Sequence, residues 1–172
     1  MDRKPHDPRQ DEVDEIVQAW ELQRPDFDAS PLAIFSRTLR LNRHFERLRK
    51  ATFLKHGLEV WEFEMLAALR RAGDPHSLTA GALMQETLVS SGTITNRIDR
   101  MEQHGYVKRG QDPTDGRVVV VTATKVGLDK VDAAMKDLLI VEDGLLAPFT
   151  DAERKAFASY FRRLIEPLEE EK

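Results

Sequence analysis

The chain has 172 residues, 41% hydrophobic and 33% charged, enough for one compact domain or two small lobes and too apolar for a wholly disordered chain. Its 26 Lys and Arg against 30 Asp and Glu give a net charge of -4, which excludes a globally basic nucleic-acid binder but not a locally basic one. The lack of cysteine removes disulfides, thiol nucleophiles, Cys-ligated zinc and thiol redox sensing together.

Residues 1–10 carry two prolines and little apolar material, and are expected to fray as a disordered tail. Val13, Ile16, Val17 and Trp20 then recur at helical spacing, which predicts a short amphipathic helix ending before Arg24-Pro25. Ser30-Pro31 reads as a second helix start, a capping residue followed by proline, and that helix should run to about His56, where Gly57 can cap it. Its Ile34, Leu41, Phe45 and Leu48 form one stripe, with Arg40, Arg43, Arg47 and Lys50 on the opposite face. Charge is sorted along this region. Residues 1–28 hold nine acids against four bases, whereas residues 37–56 hold seven Lys and Arg against Glu46 alone. An acidic protein built this way can still present one basic surface to nucleic acid.

A third helix, about Glu59 to Ala72, is apolar nearly all round and should be buried on most sides. Gly73-Asp74-Pro75 ends it. Thr79 to Glu86 predicts a short helix, and Ser90 to His104 another, closed by Gly105. The one convincing β signal follows: Tyr106 to Arg109 and Val118 to Thr122 flank the turn-rich stretch from Asp112 to Arg117, a hairpin. Thr124 can cap a long helix through Val126, Val131, Met135, Leu138 and Leu139. Phe149 and Thr150-Asp151-Ala152-Glu153 combine a staple residue with a capping box for a last helix bearing Phe157, Tyr160, Phe161, Leu164 and Leu168.

Helices joined by a short turn and followed by a hairpin describe a winged helix-turn-helix. The expected fold is mainly α with a small β-hairpin wing, carried on a helical dimerisation platform, because the long flanking helices have more apolar surface than one lobe can cover. The division expected is a tail over 1–10, N-terminal helices over 11–56, a winged helix-turn-helix over 57–123 and C-terminal dimerisation helices over 124–172. No window approaches ~18 continuous apolar residues, and Met1 to Val17 lacks the apolar core of a signal peptide, so the cytoplasm is the expected location and no membrane is engaged.

The helix from Ser90 carries the chemistry. At 100° per residue Ile94, Ile98 and Met101 share one face, and Asn96 projects almost opposite them, flanked by Thr95, Asp99 and Arg100. Asn can pair bidentately with adenine, a threonine methyl can meet thymine, and Arg100 can reach guanine or phosphate. Ser91 and Thr93, at the helix start, can hydrogen-bond phosphate with help from the helix N-terminus. Which of these residues reads a base and which grips a phosphate is left open, and an ordinary solvated helix is the bland alternative. Arg117, at the hairpin tip beside Asp115, suits a narrow minor groove; an exposed turn arginine with no role is its alternative. Arg97 falls at the border of the buried face and wants an anionic partner or a carbonyl. Glu64 sits among Val60, Trp61 and Ala68, where a carboxylate is costly unless paired. A structural ion pair and a ligand site both satisfy these two residues. His6, His44, His56, His76 and His104 lack metal-ligand spacing, and no nucleophile-elbow, phosphate-loop or dinucleotide fingerprint is present, so no metal, cofactor or enzymatic activity is expected.

From Gly57 to Gly127 the chain resembles the MarR family of bacterial transcriptional regulators. The residues that carry the resemblance are Phe63-Glu64-Met65-Leu66-Ala67-Ala68-Leu69-Arg70-Arg71-Ala72-Gly73, Leu78-Thr79, Ser90-Ser91-Gly92-Thr93-Ile94-Thr95-Asn96-Arg97-Ile98-Asp99-Arg100-Met101-Glu102 and Asp112-Pro113-Thr114-Asp115-Gly116-Arg117. Ala123 stands where the family usually has leucine. The helix bearing Trp20 is similar to an additional N-terminal helix of the urate-responsive branch. That narrower resemblance implies an effector site formed by Trp20, Glu64, Arg97 and Arg109, although the branch more usually has a shorter acidic or amide side chain where Glu64 stands.

The reading that results is a homodimeric regulator, a repressor, on double-stranded DNA with an inverted repeat whose half-sites lie ~34–36 Å apart. An anionic effector such as a purine or a polycarboxylate would release it by pulling on the recognition helix through Arg97, a population shift needing ~1–3 kcal/mol of coupling. The competing reading is a non-specific architectural DNA-binding protein without effector, with Arg40, Arg43 and Arg47 as its basic surface. A helical adaptor for other proteins is a third, supported by the acidic ends alone.

Overall fold

The computed structural model describes residues 10–112 and 114–170; the expected frayed tail, apart from Gln10, and Pro113 of the hairpin turn lie outside the described residues. Two compact units part within the second helix, residues 1–49 and 50–172.

In the first unit, α1 (Glu12–Gln23) starts on a reciprocal cap. The Asp11 carboxylate accepts from the N–H groups of Val13 and Asp14, and the Asp14 carboxylate accepts from the Asp11 N–H. First-turn donors without a helical partner are thereby satisfied. The helix that follows Ser30-Pro31, α2 (Leu32–Lys55), begins two residues beyond Ser30. The chain enters through a turn in which Leu32 N–H meets the Ala29 carbonyl, and the Ser30 N–H is itself bound by the Asp28 carboxylate. An aspartate carboxylate that accepts the N–H two residues on forms a side-chain turn of its own just before this one. Along α2, Arg37 pairs with Asp11 and Asp14, and Arg40 with Glu12. The acids of α1 thus neutralise the N-terminal part of the basic face. Ile34, Phe35, Leu39, Leu41 and Phe45 are exposed.

In the second unit the φ of 67° at Gly57 turns the chain out of α2 in the left-handed region that glycine tolerates. Then come α3 (Val60–Arg71), β1 (Ser77–Thr79), α4 (Ala80–Glu86), α5 (Ser91–Gln103), β2 (Val107–Gln111), β3 (Val119–Ala123), α6 (Lys125–Leu146) and α7 (Asp151–Glu169). The hairpin is therefore the larger part of a three-stranded antiparallel sheet of order β1-β3-β2. β1 escaped the sequence reading because three residues are too few to show alternation. It forms because β3 offers a second edge, pairing Ser77 with Thr122, Leu78 with Val121 and Thr79 with Val120.

The core explains the order of these elements. Phe53, Leu58, Met65, Leu66, Leu69, Leu83, Met101, Val107, Val121 and Val131 are fully buried, each contributing roughly 1.5–3 kcal/mol relative to an exposed side chain. The rings of Phe53 and Phe63 stack with centroids 3.9 Å apart. As the periodicity predicts, α3 is the central helix, with Phe63 and every residue from Met65 to Leu69 buried. Thr124 caps α6, accepting from the Gly127 N–H, while its own hydroxyl donates to the Gly105 carbonyl. The Thr150–Glu153 capping box starts α7, and Phe149 meets Phe157 edge-on at 4.9 Å. No residue of α7 is buried. Leu139, Ile140, Phe157, Tyr160, Phe161, Leu164, Ile165 and Leu168 are all exposed on α6 and α7. Among the described residues no helix is long and apolar enough to cross a membrane.

Candidate nucleic-acid interface

The pair α4–α5 is joined through Thr87 to Ser90, a turn in which Leu88 adopts a φ of 52° and Val89 N–H reaches back to the Met84 carbonyl. Ile94, Ile98 and Met101 hold α5 to the core. Ser91, Thr93, Thr95, Asn96, Asp99 and Arg100 are consequently exposed together. Ser90 stands at the N-cap but makes no capping bond; its hydroxyl is 2.9 Å from that of Thr93 instead. First-turn N–H groups of α5 are thereby left for an outside acceptor, at the positive end of the helix. The Thr95 hydroxyl donates to the Ser91 carbonyl, which leaves its methyl for a partner.

Arg100 is held. Its guanidinium donates to Glu59 Oε1 at 2.9 Å and lies 4.9 Å from the centre of the Trp61 ring. The Trp61 indole N–H donates to the other Glu59 oxygen at 2.6 Å. That bond from Trp61, and the Arg100 guanidinium after it, hold the Glu59 carboxyl below the usual carboxylate range against the opposing pull of burial.

Behind α5 the strands β2 and β3 project the wing. At its tip the Asp112 carboxylate accepts from the N–H groups of Thr114 and Asp115, and Asp115 accepts from the Arg117 N–H. The Arg117 side chain is 96% exposed, its Nε 3.9 Å from Asp115, so the guanidinium is available to a partner.

Residues 56–118 match the sequence model of the MarR family. The HTH-type transcriptional regulator PecS of Dickeya dadantii (strain 3937) is 31% identical over 143 residues, covering 83% of this chain and 86% of that protein. The chain belongs to the MarR family. AbsC, a MarR family transcriptional regulator from Streptomyces coelicolor, has the same fold with a TM-score of 0.72 at 18% identity, over 84% of this chain and 95% of its own. A point mutant of Escherichia coli MarR complexed with operator DNA is similar with a TM-score of 0.66 at 20% identity, over 85% of this chain and 97% of its own.

Within this MarR-family fold, Glu64, Arg97 and Arg109 of the expected effector set lie in the second unit and Trp20 in the first. Arg97 is half-buried, 5.3 Å from the Trp61 ring, in a groove of about 450 Å³ shared with Thr93, Asn96 and Arg100. Arg109 reaches α5 from β2 and pairs with Asp99 and Glu102. Asp99 and Glu102 lie on the opposite flank of the buried α5 face from Arg97, so the two arginines are not brought together. Glu64 is half-buried. The fully buried carboxylate is its neighbour Glu62, 2% exposed, which accepts from the Glu59 N–H and lies 2.9 Å from His104 Nδ1 at the end of α5. Trp20, in the first unit, is 47% exposed and stacks on Phe27 at 6.4 Å. Sequence reasoning overlooked Glu59, Trp61, Glu62 and His104. The Glu59-x-x-Glu62 spacing of a capping pair was the signal that could have found the first and third.

Proposed function

We propose that two copies of this chain form a repressor that reads an inverted-repeat operator with α5 and the wing, and that an anionic small molecule releases it. The observation that carries the reading is the exposed face of α5. Ser91, Thr93, Thr95, Asn96 and Arg100 line it, its first-turn N–H groups lack a side-chain cap, and an exposed Arg117 stands on the wing beside it. Ser91 and Thr93 then bind phosphate, Asn96 and Arg100 meet base edges in the major groove, and Arg117 enters the minor groove. Support comes also from the E. coli protein of the same fold, whose structure includes operator DNA. The exposed apolar residues of α2, α6 and α7 are the surfaces that a second copy would cover. Such a regulator works in the cytoplasm.

Two arginines and an indole around one groove suit a planar anion such as a purine or an aromatic or polycarboxylate anion. Because Asn96 and Arg100 line the same groove, an effector held by Arg97 there competes with the DNA-reading side chains. The architectural alternative is weakened at its own surface, since Glu12 already occupies Arg40.

The test is fluorescence anisotropy of the protein on DNA from upstream of its own gene and on random DNA. A preference of ~10³-fold or more is expected; equal, salt-labile binding to both would establish the architectural reading instead. Adding urate or citrate should lower operator affinity, and Arg97→Ala should abolish that response. Trp20→Leu, Glu64→Gln and Arg109→Ala are carried through the same titration, and an unchanged response removes the residue concerned from the effector set.

A further inference from the structure

Glu59 belongs to no DNA-reading or effector residue set, yet both oxygens of its carboxylate are held beside α5. One oxygen takes the Trp61 indole N–H at 2.6 Å and the other takes the Arg100 guanidinium at 2.9 Å. Its backbone N–H is bound by Glu62, whose buried carboxylate also meets His104 at the C-terminal end of α5. The anchor is therefore tied at both ends of its residue, and through Glu62 to the helix whose arginine it holds. Arg100 in turn lies over the Trp61 ring. A guanidinium has five donors in a rigid planar fork. The bond to Glu59 takes one hydrogen of its Nη2, and the second Nη2 hydrogen still forms, with a neighbouring N–H, an edge of the kind that meets guanine O6 and N7 side by side.

We infer that Glu59 is a positioning residue for base recognition: resting on the reading of α5 as the DNA-reading helix, it holds Arg100 against Trp61 so that the arginine meets a guanine already ordered. An arginine left free on the helix would have to lose its rotamer freedom at each binding event, and would fall as readily on a phosphate as on a base. The partner so recognised is a G·C pair in the major groove of each half-site. Glu59 sharpens discrimination at that pair and adds little to total affinity.

The experiment is a set of anisotropy titrations of wild type, Glu59→Gln, Glu59→Ala, Arg100→Ala and the Glu59→Ala/Arg100→Ala double variant. The DNAs are the operator and operators with each G·C pair of the half-site changed singly, and thermal melting verifies that each variant is folded. Arg100→Ala is expected to lose about 10- to 100-fold of discrimination at one base pair. Glu59→Ala should lose several-fold at that same pair, Glu59→Gln less because the amide oxygen keeps one acceptor, and the double variant no more than Arg100→Ala alone. The slope of affinity against salt should be unchanged in both Glu59 variants, since no phosphate contact is removed. A uniform rise in affinity for all DNAs on losing the Glu59 charge would overturn the inference and make Glu59 a competitor of DNA. An effect of Glu59→Ala that persists undiminished beside Arg100→Ala would overturn it equally. If wild type shows no sequence preference at all, the DNA-reading role of α5 fails first, and this inference with it.

Discussion

Gly127 has the least room of the chain's glycines. A Cβ there would lie 2.3 Å from the Tyr106 carbonyl oxygen and 2.9 Å from Leu66 Cδ2. That carbonyl cannot retreat freely, since it accepts the Thr124 N–H, a bond that joins the end of α5 to α6 through Gly105 and Tyr106. Gly127→Ala is therefore expected to destabilise the second unit by about 1–3 kcal/mol, the range for overpacking a filled site. Urea unfolding measures it, and a midpoint equal to that of wild type would show that the backbone can yield there. Glycine at this position is written in the chain, but its reason is not. Nothing in the local pattern says that a strand end and a leucine meet the first turn of α6.

The pairing of α1 with α2 is an electrostatic feature with a definite pH window. The hydrogen bond from Arg37, aided by backbone N–H groups, draws the Asp11 carboxyl from its ordinary 3.8 down to about 2, and Asp14 and Glu12 are lowered for the same kind of reason. A carboxyl depressed in the folded state stabilises it fully above the unfolded value and ceases to do so as pH falls through the folded one. The contribution of Asp11 should therefore fade between about pH 4 and pH 2. Carboxyl 13C titration by NMR should place the Asp11 midpoint near 2 in wild type and clearly higher in Arg37→Ala. A wild-type midpoint at the ordinary value would dissolve the cluster. These groups are exposed, so the pairs should also weaken with salt. The basic face of α2 was legible as a stripe. Its neutralisation was not, because the acids lie on a different helix 26 and 28 residues away.

For the whole molecule, the apolar surface of α6 and α7 is the feature one chain does not resolve. Exposed Phe157, Phe161, Leu164 and Ile165 on a helix with no buried residue are costly in water, and a second copy is the partner proposed for them. Phe161→Asp combined with Leu164→Asp should convert a dimer to a monomer in light scattering. Operator affinity should fall at least tenfold, because one winged helix then has to bind without its twin. A double variant that remains dimeric would move the interface elsewhere. The helices themselves were readable from their 3.6-residue stripes, and Thr124 and the Thr150–Glu153 box marked two helix starts correctly. What the stripes did not reveal is which apolar faces stay uncovered within a single chain.

Local pattern alone determined a good deal: the order of the helices, the hairpin behind the last helix of the helix-turn-helix, and the polar face of α5 with Asn96 opposite Ile94, Ile98 and Met101. These follow from periodicity and turn chemistry, which act over a few residues and leave their mark in the chain itself. Tertiary structure decided the rest. It paired three-residue β1 with β3, made Glu62 rather than Glu64 the buried carboxylate, set Arg97 and Arg109 on opposite flanks of α5, and bound Arg100 to Glu59, 41 residues away. Each of these depends on which side chains packing brings within a few ångströms, and hydrogen bonds and ion pairs are formed by distance in space, to which spacing along the chain is a poor guide.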